Sequence, residues 1–169
     1  EALELAKKED KAIFVDAYTT WCGPCKRMSK YVFTEQKVGD YYNSTFINMK
    51  LDMEKEEGMK FGLKYPVSAY PTFYFIKPDG EVLFTTKGGR QPAQFVELGQ
   101  KAMSKYDDVE DLADQYAAGE SDAKFIHRYV KALSRNGESP LKVANDYLNA
   151  QSDLTTLENL AIIQAATVE

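Results

Sequence analysis

The sequence has few of the side chains that build metal sites and disulfide frameworks. Its 169 residues include two cysteines, Cys22 and Cys25, and one histidine, His127. A fold stabilised by disulfides would need more cysteines at wider spacing, and a tetrahedral zinc site would need a further Cys or His pair near these two. His127 lies about 100 residues downstream within a helical pattern, and we interpret it as a structural residue of a helix. The scarcity of both residue types therefore argues against a metal site.

Long apolar runs and clusters of basic residues are missing as well. The longest apolar stretch, residues 70–76, falls far short of the roughly 18 residues that a bilayer-spanning helix needs, and is typical of a buried strand. Lys and Arg lie scattered among Asp and Glu, and the net charge is -5. No basic stripe is present to neutralise phosphates, so we expect neither a nucleic-acid partner nor a membrane span.

What is present is the composition of a chain that buries a core. Hydrophobic residues make up 44% and charged residues 28%, which excludes the disordered and fibrous classes. The length suits one domain of ordinary size, or a small domain with an appendage. The chain begins at Glu1 without a charged-then-apolar leader, and we expect it to be a mature or trimmed form.

The first two thirds of the sequence alternates between strand-like and helix-like segments. Hydrophobic periodicity and turn residues predict strands at 12–18, 45–52, 72–77 and 81–86, and helices at 1–10, 23–42, 54–64 and 92–105. Thr34 could cap a second short helix within 23–42. The turn sequence Lys77-Pro78-Asp79-Gly80 predicts an antiparallel hairpin. Because strand–helix–strand order implies a parallel crossover, we predict an α/β fold with a central mixed sheet flanked by helices.

The remaining sequence has no strand signal and predicts an all-α C-terminal extension. Helices are indicated at 108–118, 122–136, 140–151 and 155–167. Two start signals support them: Ser139 before Pro140, and the capping-box sequence that begins at Thr155. We therefore divide the chain into a domain at 1–105 and a helical extension at 106–169. The extension could be the first part of a longer array of helical hairpins, although no fixed-period repeat supports a solenoid.

The strongest chemical signal is Trp21-Cys22-Gly23-Pro24-Cys25-Lys26, which lies between a predicted strand and a predicted helix. A thiol at a helix N-terminus faces unpaired N–H groups and the positive end of the helix dipole, so the pKa of Cys22 should fall below the free value of about 8.5. The thiolate is the nucleophile of disulfide exchange, and Cys25 can attack a mixed disulfide formed at Cys22. The chemistry requires an accessible Cys22. The alternative is a pair of buried structural cysteines.

Residues 15–26, which read V-D-A-Y-T-T-W-C-G-P-C-K, resemble the active-site segment of the thioredoxin family. The resemblance covers about residues 11–104, and four further features carry it: Asp16, Lys50, the segment Tyr70-Pro71-Thr72, and Gly88. It implies the thioredoxin fold, in agreement with the predicted order of elements. The long segment 27–45 and the helical extension resemble the variety of this family found in bacterial envelope proteins.

The resemblance also implies catalytic roles. Cys22 would be the nucleophile and Cys25 the resolving thiol, while Asp16 would exchange a proton with Cys25 and Lys50 would temper Asp16 by its charge. Asp16 interrupts an apolar strand, so we expect it to be at least partly buried with a raised pKa. A solvent-facing Asp16 at the edge of a strand is the alternative, and Lys50 fits nearly as well as an exposed strand lysine.

The residues that would bind substrate surround the dithiol. By resemblance they are Trp21, Gly23, Pro24, Tyr70, Pro71 and Gly88. Trp21 should be a partly exposed platform that Tyr70 could join. A cis bond before Pro71 would expose backbone groups that pair with an extended substrate strand, whereas a trans proline opening a strand is the alternative.

The sequence thus predicts a protein thiol–disulfide oxidoreductase, and more specifically a disulfide reductase. Gly-Pro between the cysteines favours a reductant, since thioredoxin with this pair has a potential of about -270 mV. The dithiol is itself the redox group, so no metal or organic cofactor is needed. The expected partners are proteins with disulfides or thiols and an upstream thiol electron donor. The alternative function is an adaptor whose helical extension recruits a partner protein. A bacterial periplasm or envelope location is favoured over the cytoplasm.

Overall fold

A four-stranded mixed sheet organises the first 106 residues of the computed structural model, which describes residues 1–167 of the chain. The strands are β1 (Ile13–Tyr18), β2 (Ile47–Asp52), β3 (Thr72–Ile76) and β4 (Val82–Lys87), in the order β2-β1-β3-β4. β1 pairs parallel with β2 and antiparallel with β3, which pairs antiparallel with β4. The parallel crossover and the antiparallel hairpin at the edge are both as predicted.

Helices cover both faces of this sheet because its central strands are apolar on both sides. In β1, Phe14 joins one hydrophobic cluster while Ile13 and Val15 join another, as the period of two in a strand requires. The five helices of this part are α1 (Ala2–Glu9), α2 (Gly23–Tyr31), α3 (Gln36–Thr45), α4 (Glu56–Lys64) and α5 (Pro92–Tyr106). The sheet is therefore a central layer, and β1 carries the dithiol segment out of it.

The helix predicted at 23–42 is interrupted, but Thr34 does not cap its second half. Glu35 is the N-cap of α3, and no side-chain hydrogen bond caps that helix start. The Thr34 hydroxyl instead donates to the Lys30 carbonyl at the end of α2, at 2.8 Å. Thr34 therefore bonds to the end of α2 and not to the start of α3.

Residues from Asp107 onward form a second compact unit, and the division falls between Tyr106 and Asp107. Its helices are α6 (Val109–Ala117), α7 (Ala123–Arg135), α8 (Leu141–Leu148) and α9 (Leu157–Thr167). They bury a hydrophobic cluster of their own, which includes Leu112, Ile126 and Ile162. Within residues 1–167, no helix has the length and apolar character that a membrane crossing demands.

Two of the predicted capping residues in this second unit lie one position too early. Pro140, not Ser139, is the N-cap of α8, and its side chain makes no capping bond. At α9 the Thr156 hydroxyl accepts from the Asn159 N–H at 3.2 Å. The Thr155 hydroxyl donates to the Asp153 carboxylate at 2.6 Å. Thr156, and not Thr155, therefore supplies the oxygen that accepts the capping bond.

Candidate active site

The two cysteines lie at the start of α2 and are joined by a disulfide. Their Cα atoms are 5.3 Å apart. Cys22 is the N-cap residue, Pro24 occupies the first turn, and the Cys25 N–H donates to Cys22 Sγ at 3.1 Å. This sulfur therefore has a backbone donor and faces the positive end of the helix dipole, both of which favour a thiolate after reduction.

The disulfide is more thoroughly covered than the chemistry led us to expect. Cys22 is 4% exposed and Cys25 is 2% exposed. The expectation of an accessible Cys22 is therefore not met in the oxidised protein, where this residue is buried. Burial suits Cys25, because a resolving thiol needs to meet only Cys22.

Trp21 and Tyr70 form an aromatic pair beside the dithiol. Trp21 is 64% exposed, and its ring meets Tyr70 edge-on with 5.7 Å between centroids. The indole Nε1–H donates to Glu54 Oε1 at 2.9 Å, across 33 positions of sequence. Sequence reasoning missed Glu54, since nothing in its local pattern distinguishes it from other exposed acids. The contact holds one edge of the indole while its face stays open to solvent.

Pro71 is preceded by a cis peptide bond and lies at the entry to β3. Its carbonyl accepts from the Gly88 N–H at 2.8 Å. Gly88 has a φ of 85°, in the left-handed region where glycine carries no Cβ penalty. The structure therefore brings two predicted substrate-binding positions, Pro71 and Gly88, into direct contact.

Gly23 and Pro24 stand between the cysteines in the first turn of α2. A Cβ added at Gly23 would meet no atom within 4 Å among the described residues. Space therefore does not require a glycine there. Its assignment to substrate binding stays a prediction.

Asp16 is buried in the middle of the sheet. Only 2% of the residue is exposed, and neither carboxylate oxygen has a hydrogen-bond partner among the described residues. Burial raises the pKa of Asp16 to about 6, and the positive charge of Lys50 opposes that rise. A carboxyl group in this state can gain or lose a proton near neutral pH, which is what a partner for a thiol proton needs.

A cavity of about 210 Å³ opens beside Asp16. The residues that line it include Asp16, Phe33, Tyr42, Asn48, Lys50 and Phe95. Asn48 and Lys50 are exposed while Asp16 is buried. The cavity therefore borders both exposed residues of β2 and the buried carboxyl group.

Lys50 pairs with Asp16 in the register of β1 and β2 and is itself exposed. Its ammonium donates to Ser29 Oγ at 2.5 Å and lies 4.8 Å from the centre of the Tyr18 ring. Both readings of this lysine thus describe part of what it does. It is a solvent-exposed strand residue, and its charge still lowers the pKa of Asp16.

Several known proteins are similar in sequence to this chain. The sequence model of the thioredoxin-like domain matches residues 1–103. Thioredoxin-1 of Drosophila melanogaster is 38% identical over 69 residues, which cover 41% of this chain and 60% of that protein. A peptide-N(4)-(N-acetyl-β-glucosaminyl)asparagine amidase of Caenorhabditis elegans is 30% identical over 122 residues, or 72% of this chain. The match spans only 18% of that amidase.

A solved structure is more similar still. A candidate disulphide-isomerase from Bacteroides thetaiotaomicron is 47% identical, with a TM-score of 0.54. The alignment covers 60% of this chain and 84% of that one. The similarity therefore extends over most of that structure and more than half of this chain.

Proposed function

The chain belongs to the thioredoxin-like family, and from that membership we propose that it reduces disulfides in other proteins. It is a thiol–disulfide oxidoreductase that uses the Cys22–Cys25 pair. The observation that carries the exchange step is the placement of Cys22 Sγ at the N-terminus of α2, where it accepts a hydrogen bond from the Cys25 N–H. That placement favours a Cys22 thiolate in the reduced protein, and the thiolate is the attacking species of disulfide exchange.

The proposed reaction begins with the reduced pair. The Cys22 thiolate attacks one sulfur of a substrate disulfide, forms a mixed disulfide, and releases the other sulfur as a thiolate. Cys25 then loses its proton and attacks Cys22 Sγ, which re-forms the Cys22–Cys25 disulfide and releases the second substrate thiol. Two electrons pass from the dithiol to the substrate. An upstream thiol donor must supply them again.

Asp16 is proposed as the group that accepts the proton of Cys25. Its burial, its lack of a fixed partner among the described residues and its pKa of about 6 support this assignment. The cavity toward Asn48 and Lys50 offers a path by which the proton can leave. Lys50 is proposed to keep the carboxyl ionised often enough to act as a base.

Substrate docking is proposed at the aromatic pair and the Pro71 segment. Trp21 offers an exposed ring, and Tyr70 supports it edge-on. The Pro71 segment includes Tyr70, whose ring meets Trp21 next to Cys22, and it is proposed to offer main-chain groups to an extended peptide. Gly23, Pro24 and Gly88 complete the proposed surface.

The direction of transfer is supported by the Gly-Pro pair between the cysteines. Thioredoxin with this pair has a potential of about -270 mV, well below that of dedicated oxidants. A bacterial envelope location is part of the proposal, and the 47% identical Bacteroides structure supports a bacterial origin. An adaptor role is not favoured, because both cysteines and Pro71 are present and the cysteines are within bonding distance.

The test is insulin reduction with a small dithiol as electron source, alongside the potential of the pair measured against glutathione. Cys22→Ser should lose essentially all activity, and Cys25→Ser should accumulate a mixed disulfide that does not resolve. A potential near that of protein disulfide isomerase, about -180 mV, would overturn the reductase direction. Full turnover by Cys22→Ser would remove Cys22 as the nucleophile.

A further inference from the structure

The Arg90 guanidinium donates hydrogen bonds to the main chain of its own loop. Nη1 donates to three consecutive carbonyls, those of Lys87 at 3.2 Å, Gly88 at 3.2 Å and Gly89 at 3.1 Å. Nη2 donates to Thr86 Oγ1 at 3.0 Å. Charge-assisted bonds of this kind are stronger than neutral ones, so residues 86–90 are held around the guanidinium.

The loop that Arg90 gathers contacts both halves of the proposed active site. On one side the Gly88 N–H donates to the Pro71 carbonyl at 2.8 Å. On the other side the Arg90 N–H donates to Met28 Sδ at 3.2 Å, and a Cβ at Gly89 would lie 3.6 Å from the same sulfur. Met28 is buried in α2, nearly one turn after Cys25. The loop therefore ties the Pro71 segment to the dithiol helix.

We propose that Arg90 is a positioning residue for disulfide exchange. It fixes the loop that connects the Pro71 segment to α2, and it thereby determines how a protein substrate docks over Cys22. This inference rests on the proposed exchange function, though not on its direction. Arg90 itself need not contact the substrate or the cysteine sulfurs.

The chemistry of the contacts calls for arginine. Nη1 alone reaches the three carbonyls and Nη2 reaches the hydroxyl, so two nitrogens held in one plane serve all four acceptors. A lysine would keep the positive charge but present a single nitrogen. Arg90→Lys therefore separates the fork from the charge, while Arg90→Met removes both and keeps an unbranched side chain.

The experiment compares wild type, Arg90→Lys, Arg90→Met and Arg27→Met. Arg27→Met is the matched control, because Arg27 is exposed on α2 and has the same charge to lose. Each reduced protein is assayed with a protein disulfide and with a small aromatic disulfide that needs no docking surface. Amide exchange of Gly88 is followed by NMR, with Phe73 in β3 as the reporter of global stability.

Both Arg90 variants should raise KM for the protein disulfide about fivefold or more and leave the rate with the small disulfide within about twofold. The Gly88 amide should exchange about tenfold faster while Phe73 stays protected. Arg27→Met should match wild type. A role in stability alone would instead accelerate exchange at Phe73 and lower both rates together.

Three results would overturn the inference. They are an unchanged KM in both Arg90 variants, unchanged exchange at Gly88, and a KM in Arg27→Met raised as far as in Arg90→Met, since the last would assign the effect to charge. The proposed reductase function fails separately, on a wild-type protein that oxidises substrates but does not reduce insulin. In that case the KM comparison is made in the oxidising direction.

Discussion

Asp16 is the residue whose environment has the clearest measurable consequence. Burial raises its pKa to about 6 from the ordinary 3.8, so between about pH 4 and pH 6 the folded protein binds a proton that the unfolded chain has released. The free energy of unfolding must therefore fall as pH rises through this window. A difference of about two pKa units corresponds to about 3 kcal/mol.

Replacing Asp16 by Asn should remove this loss of stability. We expect Asp16→Asn to unfold like wild type at pH 4 and to be up to about 3 kcal/mol more stable at pH 8. Urea denaturation of the oxidised protein, followed by the fluorescence of Trp21, the only tryptophan, measures it. Asp40→Asn, at an exposed position of α3, is the control and should show no such dependence. An equal difference at both pH values would contradict the assignment.

The charge of Lys50 opposes the effect of burial on the pKa of Asp16. Lys50→Met should raise the pKa of Asp16 further, whereas Lys50→Arg should keep it close to wild type. Carbon NMR of the Asp16 carboxyl group across a pH titration follows this directly. Lys37→Met, an exposed change on α3, controls for net charge. If the titration midpoint is the same in Lys50→Met, Lys50 has no electrostatic role.

The residues at the centre of the site could be predicted from the sequence, but the residues that hold them in place could not. Cys22, Cys25 and Asp16 could be placed because their segment is contiguous and carries a specific motif. Glu54 and Arg90 could not, because they reach Trp21 and Met28 from 33 and 62 positions away. Which distant side chain arrives beside a given residue depends on the packing of helices and loops, and local spacing does not encode it.

Among the helices, the junction of β2 and α4 depends on the absence of one side chain. A Cβ at Gly58 would lie 2.1 Å from the Asp52 carbonyl oxygen, which is backbone and cannot move aside cheaply. Gly58→Ala should therefore lower the free energy of unfolding by about 2–3 kcal/mol. Denaturation followed by Trp21 fluorescence provides the measurement.

Gly39 is the matched control for that substitution. It also lies within a helix, but a Cβ there would have only Asn43 Nδ2 within 4 Å, at 3.9 Å. Gly39→Ala should stabilise the protein by up to about 1 kcal/mol, because alanine favours helix more than glycine does. The two substitutions should thus have opposite signs. Equal effects would mean that close packing at Gly58 is not what requires a glycine.

The order and type of the elements were predictable, and their ends were less so. Apolar runs identified β1 and β3 as buried strands, and Pro78-Asp79-Gly80 identified the hairpin that joins β3 to β4. The helix predicted to Gln151 ends at Leu148, with Asn149 as its C-cap. The residue at which a helix begins or ends depends on which of several adjacent polar side chains bonds to the backbone, as at Thr155 and Thr156. The alternatives differ by a single hydrogen bond.

For the molecule as a whole, the important feature is that each hydrophobic cluster belongs to one part of the chain. Among residues 1–167, the two clusters on the faces of the sheet consist of residues up to Tyr106, and the third consists of residues of α6 to α9. Each part therefore buries apolar residues without borrowing from the other. This supports the proposal that the division predicted near residue 105 separates two units that fold independently.

A fragment of residues 1–106 should accordingly fold and exchange disulfides at a rate within about twofold of the full chain.

A complementary change in the full chain is Leu112→Ala, at a fully buried position of α6, which should lower the stability of the second unit by about 2–5 kcal/mol. If the units are independent, the Trp21 transition stays where it is while helix signal is lost at lower urea. If that transition shifts by the same amount, or the fragment is unfolded, the chain is one cooperative structure and the helical extension is part of what holds the dithiol in place.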